Sequence, residues 1–140
     1  MRIKDACTRH VICIPQHQTV RAAARLMQAK YVGALIVVDA DADALVPIGI
    51  LTDSDIVKAV VANHANPDST AVAEIMTAVV VTCQDESDLK EAIQIMAFHG
   101  IRRLPVVDEY GHLTGIVAVD DVYGALVDSL QSLTQAFSPE

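Results

Sequence analysis

The sequence predicts an α/β (α+β) fold made of two β-α-β-β-α copies, and three observations carry that expectation. The first is self-similarity: Thr8 and Thr77, Ala23 and Ala92, Met27 and Met96, and Asp39 and Asp108 each stand 69 residues apart. Beyond the aspartate the spacing becomes 66, pairing Gly49 with Gly115, Ile50 with Ile116 and Asp55 with Asp121, so the first copy has a longer turn. The second is helical periodicity, with apolar residues at i, i+3, i+4 and i+7 in both copies: Val20, Ala23, Ala24, Met27 and Leu89, Ala92, Ile93, Met96. The third is a pair of fully apolar runs, Ala34–Val38 and Leu104–Val107, of the kind found in strands covered by other elements. A copy of about 60 residues buries its apolar surface poorly alone, so the two are expected to pack sheet to sheet about a pseudo-twofold axis.

Taken in order, each copy repeats one plan. A strand (Val11–Ile14; Val79–Cys83) is followed by polar capping residues and the amphipathic helix just described. A glycine follows or nearly follows each helix, Gly33 and Gly100. Then come the apolar strand, a polar turn, a further strand (Ile48–Leu51; Leu113–Val117) and a closing helix (Asp53–Ala62; Val119–Leu130). Ala71–Met76 reads as a short lead-in helix, echoed by Ile3–Cys7. Asn63–Thr70 is polar, contains Pro67 and reads as a linker. The expected organisation is therefore copy one over 1–62, a linker over 63–70, copy two over 71–133 and a disordered tail over 134–140, fraying after Leu133.

Composition narrows the function. The 140 residues carry a formal net charge of −8, which disfavours nonspecific binding to nucleic acid or an anionic membrane, since both need a basic footprint. No apolar run approaches the length of a membrane span and no signal-peptide pattern opens the chain, so a soluble, cytoplasmic protein is expected. Cys7, Cys13 and Cys83 are an odd number at wide spacing, which suits reduced thiols better than disulfides, zinc ligation or a catalytic nucleophile. With aromatic residues at only 4%, Val, Ile, Leu and Ala must fill the core.

The heptapeptide Gly49-Ile-Leu-Thr-Asp-Ser-Asp55 ends a strand and starts a helix. Thr52 and Asp55 have the spacing of a capping box, in which each side chain satisfies the other residue's orphan N–H. The same arrangement also suits a ligand site, with an anion held at the helix start and the carboxylate accepting hydrogen bonds from a sugar diol. Residues 49–55 leave both readings open.

The tandem copies, Met76-Thr77, the run His99-Gly-Ile-Arg-Arg-Leu-Pro-Val-Val-Asp108 and the paired elements Gly49–Asp55 and Gly115–Asp121 together resemble a tandem pair of CBS domains. These are the cystathionine-β-synthase-type regulatory modules, and the resemblance runs from about Ile3 to Leu130. It implies a free-standing, non-enzymatic sensor that binds an adenine nucleotide (AMP, ADP or ATP), or S-adenosylmethionine, between the copies and signals to a regulated partner protein. Carried over residue by residue, it places the ribose-binding carboxylate on Asp55 and the phosphate-side hydroxyl on Thr52. The backbone around His10–Ile12 and Val32–Ala34 would frame the base, and Arg102 and Arg103 would hold phosphate.

The symmetry-related site keeps Asp121 but has Ala118 where Thr52 stands, and Gly33 and Ala34 where Arg102 and Arg103 stand. It is expected to be empty, weak or occupied by a ligand without phosphates. The resemblance further implies a homodimer formed through the closing helices. A ligand-independent dimerisation scaffold with vestigial pockets is the alternative function. Other signals point to no site. Asp39-Ala-Asp-Ala-Asp43 lacks the glycine and glutamate of a calcium loop, and His10, His17, His64, His99 and His112 show no paired ligand spacing, so no metal is expected.

Overall fold

The computed structural model describes residues 1–42, 44–79 and 81–137. It is the mixed α/β fold expected, with two small sheets and their covering helices divided between two compact units. One unit comprises His10–Val80 with Glu109–Leu113, and the other Met1–Arg9, Val81–Asp108 and the chain from Thr114 onward.

The first of these contains β1 (Cys13–Pro15), α1 (Val20–Lys30), β2 (Ala34–Val38), β3 (Pro47–Thr52), α2 (Asp53–Ile56), a π-helix (Val57–Ala62), α3 (Val72–Ile75) and β4 (Thr77–Ala78). Its sheet has the order β1-β2-β3-β4, parallel between β1 and β2 and antiparallel thereafter. Ile14, Ala23, Met27, Leu35, Leu51 and Val72 are buried together in its core.

The other unit contains a 3₁₀ turn (Ile3–Asp5), β5 (Cys83–Gln84), α4 (Leu89–His99), β6 (Arg103–Val107), most of β7 (Leu113–Ala118) and α5 (Val119–Ala136). Its sheet runs β5-β6-β7, and Ile3, Leu89, Ala92, Met96, Leu104 and Val117 lie in its core. The lead-in segments thus pack with the unit of the other copy. Ile3 is fully buried against the second copy's residues, and Val72 against the first copy's. Hydrogen bonds fix both: Ile3 N–H donates to Ser87 O at 2.8 Å, and Val72 N–H to Gln18 O at 2.8 Å.

This exchange explains the repeated glycines at 49 and 115. Thr8 bridges Ile116 in both directions, at 2.9 and 3.0 Å, and a Cβ on Gly115 would stand 2.7 Å from the Thr8 carbonyl oxygen. In the other unit β4 pairs with Gly49 and Ile50, and a Cβ on Gly49 would strike the Met76 side chain. At Gly115 the obstacle is backbone, so only a residue without a side chain admits the crossing segment there, whereas at Gly49 it is a flexible side chain.

Several local expectations are corrected. The strands expected at Val11–Ile14 and Val79–Cys83 form at Cys13–Pro15 and Cys83–Gln84, because the parallel ladder holds only the residues facing β2 and β6; Val80 lies outside the described residues. The lead-ins are shorter than expected, at Ile3–Asp5 and Val72–Ile75. The helix expected over Asp53–Ala62 is α-helical only to Ile56. It then widens to a π-helix through the β-branched Val57, Val60 and Val61, with Asn63 N–H donating to Lys58 O at 3.0 Å. The last helix passes Leu130 and Leu133 to reach Ala136, since no glycine or proline interrupts residues 125–136; of the expected tail, 138–140 lie outside the described residues. Ala24 and Ile93 are exposed, so the buried helical stripes are narrower than the periodicity suggested. Finally, α1 ends not on Gly33 but on Tyr31, which occupies the left-handed cap (φ 55) that Gly100 (φ 63) provides after α4.

Candidate functional site

The capping box at the end of β3 is formed. Thr52 Oγ1 accepts from Asp55 N–H at 3.2 Å, and Asp55 Oδ2 accepts from Thr52 N–H at 2.9 Å. These bonds fix the Asp55 side chain, while its Oδ1 has no hydrogen-bond partner among the described residues. Both residues are half-buried. The cap therefore leaves one carboxylate oxygen available to a ligand, and the two readings of this stretch are compatible.

The segment Val32–Ala34 is brought against this box. Ala34 is the Cα partner of Thr52 across β2 and β3, and Gly33 O accepts from Asp53 N–H at 3.0 Å. A Cβ on Gly33 would lie 3.2 Å from Asp53 Oδ2, so glycine leaves room for that carboxylate. Ile12 O accepts from Ile36 N–H at 3.0 Å, which ties the residue before β1 to β2, and His10 is exposed in the same unit. His10, Ile12, Val32, Gly33, Ala34, Thr52 and Asp55 thus belong to one unit.

Arg102, Arg103 and Asp121 belong to the other. Arg102 and Arg103 are exposed at the start of β6, and Arg102 O accepts from Val119 N–H at 2.9 Å, repeating the Gly33–Asp53 bond. The two arginines line a cavity of about 40 Å³ with Ala118, Val119 and Asp120. Asp121 Oδ2 accepts from Ala118 N–H at 2.8 Å, but Ala118 has no hydroxyl to return the bond, so this box is only half formed. Asp121 also borders a cavity of about 310 Å³ with Asp5, Asp120 and Asp128, a setting unfavourable to an anion.

The cysteines stay thiols at neutral pH. Burial pushes Cys7 and Cys13 up, and burial with the nearby Cys7 and Glu91 pushes Cys83 up to about 12. No group of three His, Cys, Asp or Glu side chains arranged to hold a metal occurs among the described residues. No helix among them is long and apolar enough to cross a membrane.

One feature beside the site escaped the sequence reading. Tyr31 immediately precedes Val32–Ala34 and carries a tyrosine in a left-handed turn. Setting Tyr31 against Gly100 in the repeat, at the same 69-residue spacing, shows the anomaly in the sequence itself.

Comparison with known proteins gives consistent results. The chain is 34% identical over 120 residues to the uncharacterized protein MK0525 of Methanopyrus kandleri, covering 86% of this chain and 60% of that protein, so it spans less than two thirds of that relative's length. It is 39% identical over 120 residues to the CBS domain-containing protein YhcV of Bacillus subtilis, covering 86% of this chain and 81% of that protein. Among solved structures, the CBS domain pair of protein MJ0100, in complex with 5′-methylthioadenosine and S-adenosyl-L-methionine, superposes with a TM-score of 0.74. It is 25% identical and covers 92% of this chain and 98% of that one. The CBS domain family model matches residues 3–62 and 72–128, and with both copies matched the chain belongs to the CBS-domain family as a tandem pair.

Proposed function

We propose that the chain is a non-enzymatic sensor that binds an adenine nucleotide and passes its occupancy to a partner protein. The observation that carries this reading is the Asp55 carboxylate, oriented by Thr52 N–H through Oδ2 and without a partner at Oδ1 among the described residues, beside the close backbone of Gly33 and Ala34. A fixed carboxylate is suited to a vicinal diol. The two ligands held by the MJ0100 pair share a 5′-thio-substituted adenosine, whose ribose offers that diol. The resemblance assigns phosphate to Arg102 and Arg103, and guanidinium donors favour a phosphate-bearing member of the adenosyl class. On this reading the Asp121 side, with Ala118 and neighbouring acids, holds no phosphate. Signalling requires that the ligand prefer one of two states of the module.

Thermal melts test the proposal. With AMP, ADP or ATP at about 100 times its dissociation constant, the native state gains about 2.7 kcal/mol, a melting shift on the order of 10 °C. A flat response to all three nucleotides and to S-adenosylmethionine would favour the scaffold reading.

That second reading draws support from α5, where Leu126, Leu130 and Leu133 are 49%, 63% and 57% exposed. We propose that these residues pair two chains about a twofold axis, an arrangement common to both readings. Light scattering should give twice the 15.0 kDa chain mass. A single-chain mass at high concentration would contradict the pairing.

A further inference from the structure

We propose that Tyr31 is a ligand-binding residue whose ring stacks on the purine of the adenosyl ligand, an inference that rests on the function proposed above. α1 and α4 have the same length and finish alike: Tyr31 N–H donates to Met27 O as Gly100 N–H does to Met96 O, and both caps are left-handed. The fold requires a positive φ here, the position where glycine is strongly preferred. A tyrosine in this conformation is strained.

Nothing among the described residues offsets that strain. The Tyr31 side chain is 96% exposed, joins neither core and makes no hydrogen bond or ring contact among the described residues. His64 is the other non-glycine residue at positive φ among them, and it lies in the polar linker. Strain held without internal compensation points to a role outside the folding of the unit.

The position and chemistry of Tyr31 narrow that role. It stands two residues before Gly33, whose carbonyl is bonded to Asp53 N–H, and three before Ala34, the partner of Thr52. Tyr31 therefore adjoins in the chain the segment that meets the Thr52–Asp55 box. The protein contains three tyrosines, two phenylalanines and no tryptophan. In the unit that carries Asp55 the aromatic residues are Tyr31 and Tyr110, and Tyr110 contacts His112. A purine bound beside Asp55 presents an aromatic face, and the exposed Tyr31 ring is the partner assigned to it.

Four variants test the assignment with AMP as the probe. Tyr31→Gly relieves the strain and removes the ring; Tyr31→Leu keeps the strain and apolar bulk but removes the ring; Tyr31→Phe and Tyr31→Trp keep an aromatic face. Loss of stacking should weaken AMP binding about 5- to 100-fold in the Gly and Leu variants, while Phe and Trp stay within about threefold of the wild type. Without ligand, Tyr31→Gly should melt above the wild type. The lone tryptophan of Tyr31→Trp should change its emission as AMP saturates the site. Wild-type affinity in Tyr31→Gly or Tyr31→Leu, or unchanged tryptophan emission at saturation, overturns the assignment and leaves the proposed function standing. A wild-type protein that binds none of the adenosyl ligands overturns both.

Discussion

Replacing Gly115 by alanine is expected to destabilise the protein by about 2–3 kcal/mol, lowering its melting temperature on the order of 10 °C. The new methyl group would lie 2.7 Å from the Thr8 carbonyl oxygen and 3.1 Å from Cys7 Sγ. Thr8 cannot easily withdraw, because its N–H and C=O are both bonded to Ile116. Nor can the preceding turn, since Ile3 is fully buried in the same core. Gly49→Ala meets the thioether of Met76 instead, a flexible group that can swing aside, so its cost should be about 1 kcal/mol or less. Gly100→Ala meets open space but inherits φ +63, and strain alone should cost about 1 kcal/mol. Equilibrium denaturation of the three variants gives this ranking directly. A Gly115→Ala protein as stable as Gly49→Ala would show that the lead-in does not hold its strand as described.

Asp55→Ala is expected to weaken nucleotide binding roughly 10- to 150-fold, the equivalent of losing about 1.5–3 kcal/mol of charge-assisted hydrogen bonding. Part of the effect on the free protein is separable, because the same carboxylate accepts from Thr52 N–H. Losing that half of the box should cost about 0.5–1 kcal/mol of stability whether or not ligand is present. Asp55→Asn serves as the control: it retains an acceptor for the cap but has no charge to offer a diol. Asp121→Ala removes the matching cap at Ala118 and should cost similar stability with little loss of nucleotide affinity. Equal affinity losses at Asp55 and Asp121 would contradict the asymmetry assigned to the two copies.

What could be read from the sequence follows the range of the interactions involved. β2 forms at Ala34–Val38 as expected, because a continuous apolar run bounded by Gly33 and Asp39 is a local signal. The Thr52–Asp55 box is legible for the same reason, since cap and partner are three residues apart. β4 was not foreseen. Thr77 and Ala78 are exposed and pair with Gly49 and Ile50, a contact no periodicity within 77–78 announces. The exchange of lead-ins is equally hidden, although Gly49 and Gly115 carry its trace as repeated glycines whose crowding only the folded chain displays.

Tyr31 was missed for a different reason. A repeat is recognised by its matches, and the strained cap lies where the repeat fails, as tyrosine against glycine. The π-helix at Val57–Ala62 likewise departs from its counterpart α5, which stays regular to Ala136. In both places the two copies share a backbone plan and differ in what they can do with it.

Titration calorimetry of AMP into the wild-type protein counts the sites and shows whether Asp55 holds the ligand. One phosphate-bearing ligand per chain is expected, with binding lost or greatly weakened in Asp55→Ala and preserved in Asp121→Ala. Two equivalent sites per chain, or binding that survives Asp55→Ala unchanged, would contradict it.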